Sequence, residues 1–288
     1  MACPIGNEYL RNAAHEVVRQ AMENSRIEHT IIRLGSLAGH YPPSPVVLNR
    51  IICADHELSE HVNEAVKVFH PPTMDEPMRN TMSCIDVMGV NDVAEITATL
   101  LLKQLFDEVF PGSGYLSHAM VKHCVGMAAA MRFIAKQTGL DQHQAYVCGL
   151  LSRIGVAVLA AASPTSYAKC VAVLPGSTSA IEDVERGGFQ GVNHFDIGTT
   201  IAYEYEFPVW FSQCQAQETI PTPLRKIMMV SSRLVNRMNL DMGQANRLAE
   251  PNARDLQTIK FDPENMDDLR RDVEQSIDFF NCFSSQQG

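Results

Sequence analysis

The chain has 288 residues, 45% of them apolar, and 33 Asp and Glu against 23 Lys and Arg, a formal net charge of −10 at pH 7. That length and composition suit one large or two modest folded domains and exclude disorder of the whole. An acidic chain without a Lys/Arg cluster is ill suited to phosphate backbones, so no nucleic-acid partner is expected.

The chain opens Met1-Ala2-Cys3-Pro4-Ile5-Gly6-Asn7-Glu8, with no basic start and no apolar core segment, so no export signal is expected. Residues from about Asn7 to Asn24 pattern as an amphipathic helix. No element is assigned to 25–40. Tyr41-Pro42-Pro43-Ser44-Pro45 is an extended break, because Pro fixes φ and biases its predecessor away from helix. A helix then carries Val46, Val47, Leu48 and Ile51, and another runs from Leu58 to Phe69 until His70-Pro71-Pro72 ends it. Glu76 to Val90 reads as one short helix. Asn91 caps a further helix through Leu100 and Leu105 to Phe110.

Pro111-Gly112-Ser113-Gly114 is the candidate hinge. Met120, Cys124, Met127, Met131 and Ile134 follow at helical spacing up to Gly139, a good stop, and that stripe reads as core. The longest apolar run, 145–162, reads as one buried helix interrupted by Ser152 and Arg153 and too short to span a membrane. After Pro164 come a helix near Tyr167 to Leu174, a Gly/Ser loop around 175–191, and a helix from His194 to Tyr205. Pro208 opens the next helix, and Leu224, Ile227, Met228, Leu234, Val235 and Met238 form a clean stripe. Residues 241–261 read as loop with some helix. Asp262-Pro263, cap then Pro, starts a helix docked by Leu269, Val273, Ile277 and Phe280.

Alternating β-branched runs are absent, so the fold class is all-α. The expected division is an N-terminal helical lobe over 1–110, a helical core over 111–240, and an acidic helical appendage over 241–288. That last segment holds ten Asp/Glu and five Lys/Arg. Its charge suits a solvated helix face, or alternatively a docking surface for a basic partner. The eight cysteines include no Cys-x-x-Cys pair and read as reduced, buried thiols, neither a disulfide frame nor a zinc site. A cytoplasmic, bacterial-type protein follows.

An arginine inside so apolar a run is costly unless its guanidinium reaches a carboxylate, carbonyls or water. Gly149-Leu150-Leu151-Ser152-Arg153-Ile154-Gly155 is also the Gly-Leu-Leu-x-x-Ile-Gly frame that surrounds the His-Asp pair of the HD metal-dependent phosphohydrolases. Four further pieces stand in matching order. They are Pro42 to Leu48, Ile85-Asp86-Val87-Met88-Gly89, Lys122-His123-Cys124-Val125, and Asn193-His194-Phe195-Asp196-Ile197-Gly198 with Phe207-Pro208. From about Leu34 to Leu240 the chain resembles the HDOD family, regulatory relatives of the HD phosphohydrolases. The resemblance implies an HD-like helical bundle with a smaller N-terminal lobe.

It also locates a degenerate site. His123 stands where the first metal-binding histidine of HD proteins would be, Ser152-Arg153 replaces the His-Asp pair, and Ser232 occupies the later aspartate's place. Gln213, Gln215 and Gln217 follow the Leu-Pro position, where relatives often carry a His-His pair, and these glutamines near Trp210 suit either a polar pocket or a helix face. The relatives' Asp-Pro-x-Leu helix is not found between His56 and Pro77, so the N-terminal lobe reads as shortened.

Arg cannot give up its proton to bind a metal. The site residues are therefore His123, Ser152, Arg153, His194, Asp196 and Ser232, with no catalytic residue, metal or cofactor among the expectations. A leftover zinc site of His123, His194 and Asp196 is the sharper alternative to two structural histidines. Arg153 has two readings: it replaces the metal and pairs with Asp196 or another carboxylate, or it snorkels to water. Gly187-Gly188-x-x-Gly191 lacks the lysine of a phosphate loop, and neither a nucleophile elbow nor a Cys-His pair is present. The expected function is a non-enzymatic signalling module, a pseudoenzyme that binds a protein partner and in one version a small ligand. The alternatives are an HD-type phosphohydrolase or phosphodiesterase with a rebuilt site, and a structural scaffold in an oligomer.

Overall fold

Short polar side chains start most of the helices, by accepting hydrogen bonds from first-turn N–H groups that have no partner within the helix. A computed structural model describes Ile5 and residues 7–71, 80–174, 180–217, 220–238, 240 and 251–284. All regular elements among these residues are helical. Asn7 caps α1 (Glu8–Ala21), Asn24 caps α2 (Ser25–Gly39), Ser44 caps α3 (Pro45–Cys53), Asp55 caps α4 (His56–Phe69) and Asn80 caps α5 (Thr81–Met88). The α2 helix lies where the patterning assigns nothing. Residues 72–79, which include the expected start of a helix at Glu76, lie outside the described residues.

The next helix, α6 (Val90–Val109), has no side-chain cap. Gly89, at φ 94, turns the chain between α5 and α6, so Asn91 sits inside the first turn and does not cap it. The 25 residues of α7 (Gly114–Thr138) end at Gly139 in the left-handed conformation, where a side chain would be strained. Met120, Met127 and Met131 are buried on it, the core role expected of them.

The apolar run departs from expectation. It forms two helices, α8 (Gln142–Leu150) and α9 (Ile154–Ala162), broken at Leu151–Arg153. Arg153 is thus not mid-helix but the residue before α9, at a corner of the chain. By length and composition Gln142–Ala162 is sufficient to cross a membrane, contrary to the shortfall expected, yet 83% of its most apolar window is buried inside the fold.

Beyond it lie α10 (Pro164–Val173) and α11 (Ile181–Gly188), the latter inside the stretch expected to be loop. Then follow α12 (His194–Glu204), α13 (Val209–Gln215), α14 (Pro223–Arg237), α15 (Ala253–Thr258) and α16 (Met266–Ser284). Asp262 and Pro263 open a 3₁₀ turn, Pro263–Asn265, that runs into α16.

The α7 helix is the central post, packed by α8, α14 and α16. The α9 helix lies on α12, and α1 covers both of these. The α16 helix buries Leu269, Val273, Ile277 and Phe280 against α7 and also touches α4, where Phe279 stacks on Phe69 at 4.3 Å. Two glycines set the approach of the helices around the corner. A Cβ on Gly149 would lie 2.5 Å from the Met127 carbonyl oxygen, and one on Gly155 only 1.9 Å from that of His194. Absence of a side chain at both positions brings α8 onto α7 and α9 onto the start of α12. Arg153, between them, is thereby driven toward His123 and His194.

Candidate functional site: a guanidinium between two histidines

His123 projects from the middle of α7 and is buried. Its Nδ1 lies 2.7 Å from the Leu240 carbonyl oxygen. A carbonyl only accepts, so Nδ1 carries the proton and Nε2 keeps its lone pair. The Arg153 Nε–H donates to that Nε2 at 3.4 Å. Burial, and then the Arg153 charge, push the His123 imidazole down to a pKa of about 3.

His194 repeats the arrangement from the first turn of α12. Its Nδ1 donates to Glu185 Oε2 at 2.6 Å, and its backbone N–H donates to the same oxygen at 2.9 Å. Its Nε2 accepts from Arg153 Nη1 at 2.8 Å. Arg153, His194 and Glu185 thus form a chain from cation to neutral ring to carboxylate, and His194 and Glu185 are both 0% exposed. Burying such charges requires pairing, and the imidazole relays it. Glu185 belongs to α11, so the sequence reading that placed loop there missed it. The apolar pair Ile181 and Val184 and the acidic first turn Glu182-Asp183 are the only sequence signals of that helix.

Asp196 does not join the group. Its carboxylate accepts from the Asn193 N–H at 3.0 Å while Asn193 caps the helix in return, so it closes a capping box at the start of α12. Burial raises its pKa. The expected pairing of Arg153 with Asp196 is therefore replaced by the link through His194. Nor does the guanidinium simply reach for water, since two of its donors are fixed on imidazoles.

Beside this chain opens a cleft of about 200 Å³. Its floor holds His123, Ser152 and Arg153, and one wall is the α14 face of Arg225, Met228, Met229, Ser232 and Arg233. Glu182, Phe195, Gln217 and Met127 complete it. His123, Ser152, Arg153 and Ser232 line one cleft, while His194 backs it through Arg153. Gln217 reaches the cleft and accepts from Arg186, whereas Gln215 is wholly buried and Gln213 is exposed.

Arg225 is 7% exposed. Its guanidinium lies 3.9 Å over the Phe195 ring, and Nη1 donates to the Cys214 carbonyl at 3.2 Å. Burial lowers its pKa. Arg233 is neutralised by Asp255 at 2.6 Å. Burial pushes the Glu182 carboxyl up, but the positive field around Arg153, which His194 holds in place, and that of Arg225 outweigh it, and the net shift is downward.

A family model, the HDOD domain, matches residues 48–221. The chain belongs to the HDOD family. The family is related to the HD phosphohydrolases. Among solved structures, an HDOD domain protein of unknown function from Geobacter sulfurreducens superposes with a TM-score of 0.68 at 14% identity, covering 88% of this chain and 91% of the other. A protein provisionally assigned as a phosphohydrolase, from Shewanella amazonensis SB2B, gives 0.66 at 15% identity, with coverage of 93% and 98%. One provisionally assigned to signal transduction, from Marinobacter aquaeolei VT8, gives 0.69 at 14%, covering 95% of this chain and 66% of the other. At these identities the likeness is one of fold. No curated protein matches the chain.

The metal of the HD relatives does not fit the residues present. The two Nε2 lone pairs that would face a cation are taken by the Arg153 guanidinium. Among the described residues no group of three His, Cys, Asp or Glu is placed to hold an ion. The donor set of this HDOD site suits an internal cation and no second one.

Proposed function

We propose that this HDOD chain is a non-enzymatic regulatory module, a pseudoenzyme that acts through a protein partner. The observation that carries the reading is the Arg153 guanidinium held by both histidine Nε2 atoms. A fixed cation with no open coordination position cannot activate water as a bound metal does. Ser152 and Ser232, at the places where the HD relatives carry ligands, are hydroxyls that do not complete a general acid–base pair. A relative of the same fold named for signal transduction fits this reading.

Purified protein should carry less than a tenth of an equivalent of Fe, Mn or Zn by elemental analysis. It should not turn over cyclic dinucleotides or nucleotides with Mn²⁺ or Mg²⁺ added. One or two equivalents of metal, or turnover lost on Arg153 or His123 substitution, would instead make the chain a phosphohydrolase with a rebuilt site.

A further inference from the structure

Two opposite charges in the cleft lack a direct ionic partner. Glu182 makes no ion pair and no hydrogen bond to another residue among the described residues, its carboxylate accepting only from its own backbone N–H, and Arg225 reaches no carboxylate there. Arg225 spends one donor on a carbonyl and a thioether sulfur, at 3.2 and 3.3 Å, and its face on the Phe195 ring. The neighbouring charges are already balanced, Arg233 by Asp255 and Arg153 by Glu185 through His194. An almost fully buried guanidinium without a carboxylate is costly to a fold, and a carboxylate that shares its cleft but does not touch it leaves both underused. The space beside them is about 200 Å³, some six or seven waters' worth. Its remaining lining includes the apolar side chains of Met127, Met228 and Met229. Thioether side chains are adaptable walls for small apolar groups.

We infer that this cleft binds a small zwitterion, a free amino acid with an apolar side chain. Arg225 takes the ligand carboxylate, Glu182 takes its ammonium, and the methionines take its side chain. The ligand's two charges match the two unpaired ones and add no net charge, which a simple anion or amine would. A bidentate guanidinium–carboxylate contact fixes one end, and a charge-assisted bond to Glu182 fixes the other. Specificity follows from polar groups that would be left unpaired by an analogue lacking either charge. Met229, 46% exposed on α14, marks the open side by which the ligand enters. The inference deepens the regulatory reading by naming an input, but the binding stands or falls apart from it.

Calorimetry and thermal shift on the full chain should use leucine, methionine and phenylalanine as probes. The controls are 4-methylpentanoate, which lacks the ammonium, isoamylamine, which lacks the carboxylate, and inorganic phosphate. At least one amino acid should bind with Kd below about 1 mM, and its matched acid and amine at least tenfold more weakly. Glu182→Gln removes a charge that is in no ion pair, keeps the side chain's shape, and should leave the fold intact. It should weaken the amino acid at least tenfold and bring it level with the matched acid. Arg225→Met should abolish binding, and if that variant fails to fold, Glu182→Gln still decides. No amino acid binding, equal binding of acid and amino acid to the unaltered chain, or phosphate binding alone would overturn the inference. Turnover or resident metal would overturn the regulatory reading and leave this one standing.

Discussion

At the scale of single residues, Arg153 acts as the internal counter-cation of two imidazoles. Each Nε2 is a buried acceptor, and an acceptor left without a donor costs about 1–3 kcal/mol. Arg153→Met should therefore lower the unfolding free energy by roughly 2–5 kcal/mol, because it orphans two acceptors and breaks the link to Glu185. Arg153→Lys should fall between, since an ammonium is a point charge and cannot present the planar fork that meets both rings. Denaturant titration measures both, and an Arg153→Met protein within 0.5 kcal/mol of the unaltered one would contradict the account. Much of this site was readable in advance. His123, Ser152, Arg153 and Ser232 stand in one recognisable order along the chain, and the frame around them implied that they meet. Asp196 misled because an aspartate three residues after Asn193 serves a helix cap and a site equally well in sequence. Glu185 and Arg225 were unreadable because nothing local distinguishes a buried, paired charge from an exposed one.

At the scale of elements, the two glycines of the frame matter more than the residues between them suggest. In sequence they belong to the frame around a metal-binding pair, whereas their physical work is to let backbones touch. Gly155→Ala would drive a methyl into the His194 carbonyl, 1.9 Å away, with only backbone there to give way. Overpacking of this kind costs about 1–3 kcal/mol or more, and it should also disturb the Arg153–His194 contact. Gly39→Ala, where nothing lies within 4 Å, should be neutral or slightly stabilising. Chemical melts of the pair make the comparison, and equal stability would show that α9 can move off α12 without penalty. The α16 helix was readable down to its four docking residues because period 3.6 and a Pro-marked start agree. Removing 262–288 strips those four side chains, each worth roughly 1.5–3 kcal/mol when fully buried. The melting temperature should drop by about 2–4 °C for each kcal/mol lost, and an unchanged value would mean that α16 is not docked in solution. In contrast, α2 and α11 were missed, the first for want of any assignment and the second because glycines at 187, 188 and 191 imitate a loop.

At the scale of the molecule, the central post α7 ties the site to global stability, and pH should reveal it. His123 is held at about 3, far below the ordinary value of 6.5, by burial and then by Arg153. His118, also on α7, is lowered by burial and then by Lys122 and Lys103. A histidine with a depressed folded pKa binds fewer protons native than unfolded. Its contribution is intact above the unfolded pKa near 6.5 and is lost as pH falls from there toward the folded value. The fully buried His123 removes up to about 1.4 kcal/mol per pH unit in that window, and the partly exposed His118 much less. The carboxylates act lower. Glu182 and Asp55 are depressed and add to the loss only below about pH 4.5, whereas Glu95 and Asp196, raised by burial, oppose it above their ordinary values, as pH falls from the folded pKa toward the unfolded one. Unfolding free energies at pH 7.5, 6.5, 5.5 and 5.0 should therefore decline from 6.5 downward, with the raised carboxyls of Glu95 and Asp196 offsetting part of the loss at the acid end. His123→Asn should flatten the decline, because an amide can still donate to the Leu240 carbonyl but takes up no proton in this range. A curve level from pH 7.5 to 5.0, or one whose slope His123→Asn leaves unchanged, would show that the buried imidazole does not couple the site to folding.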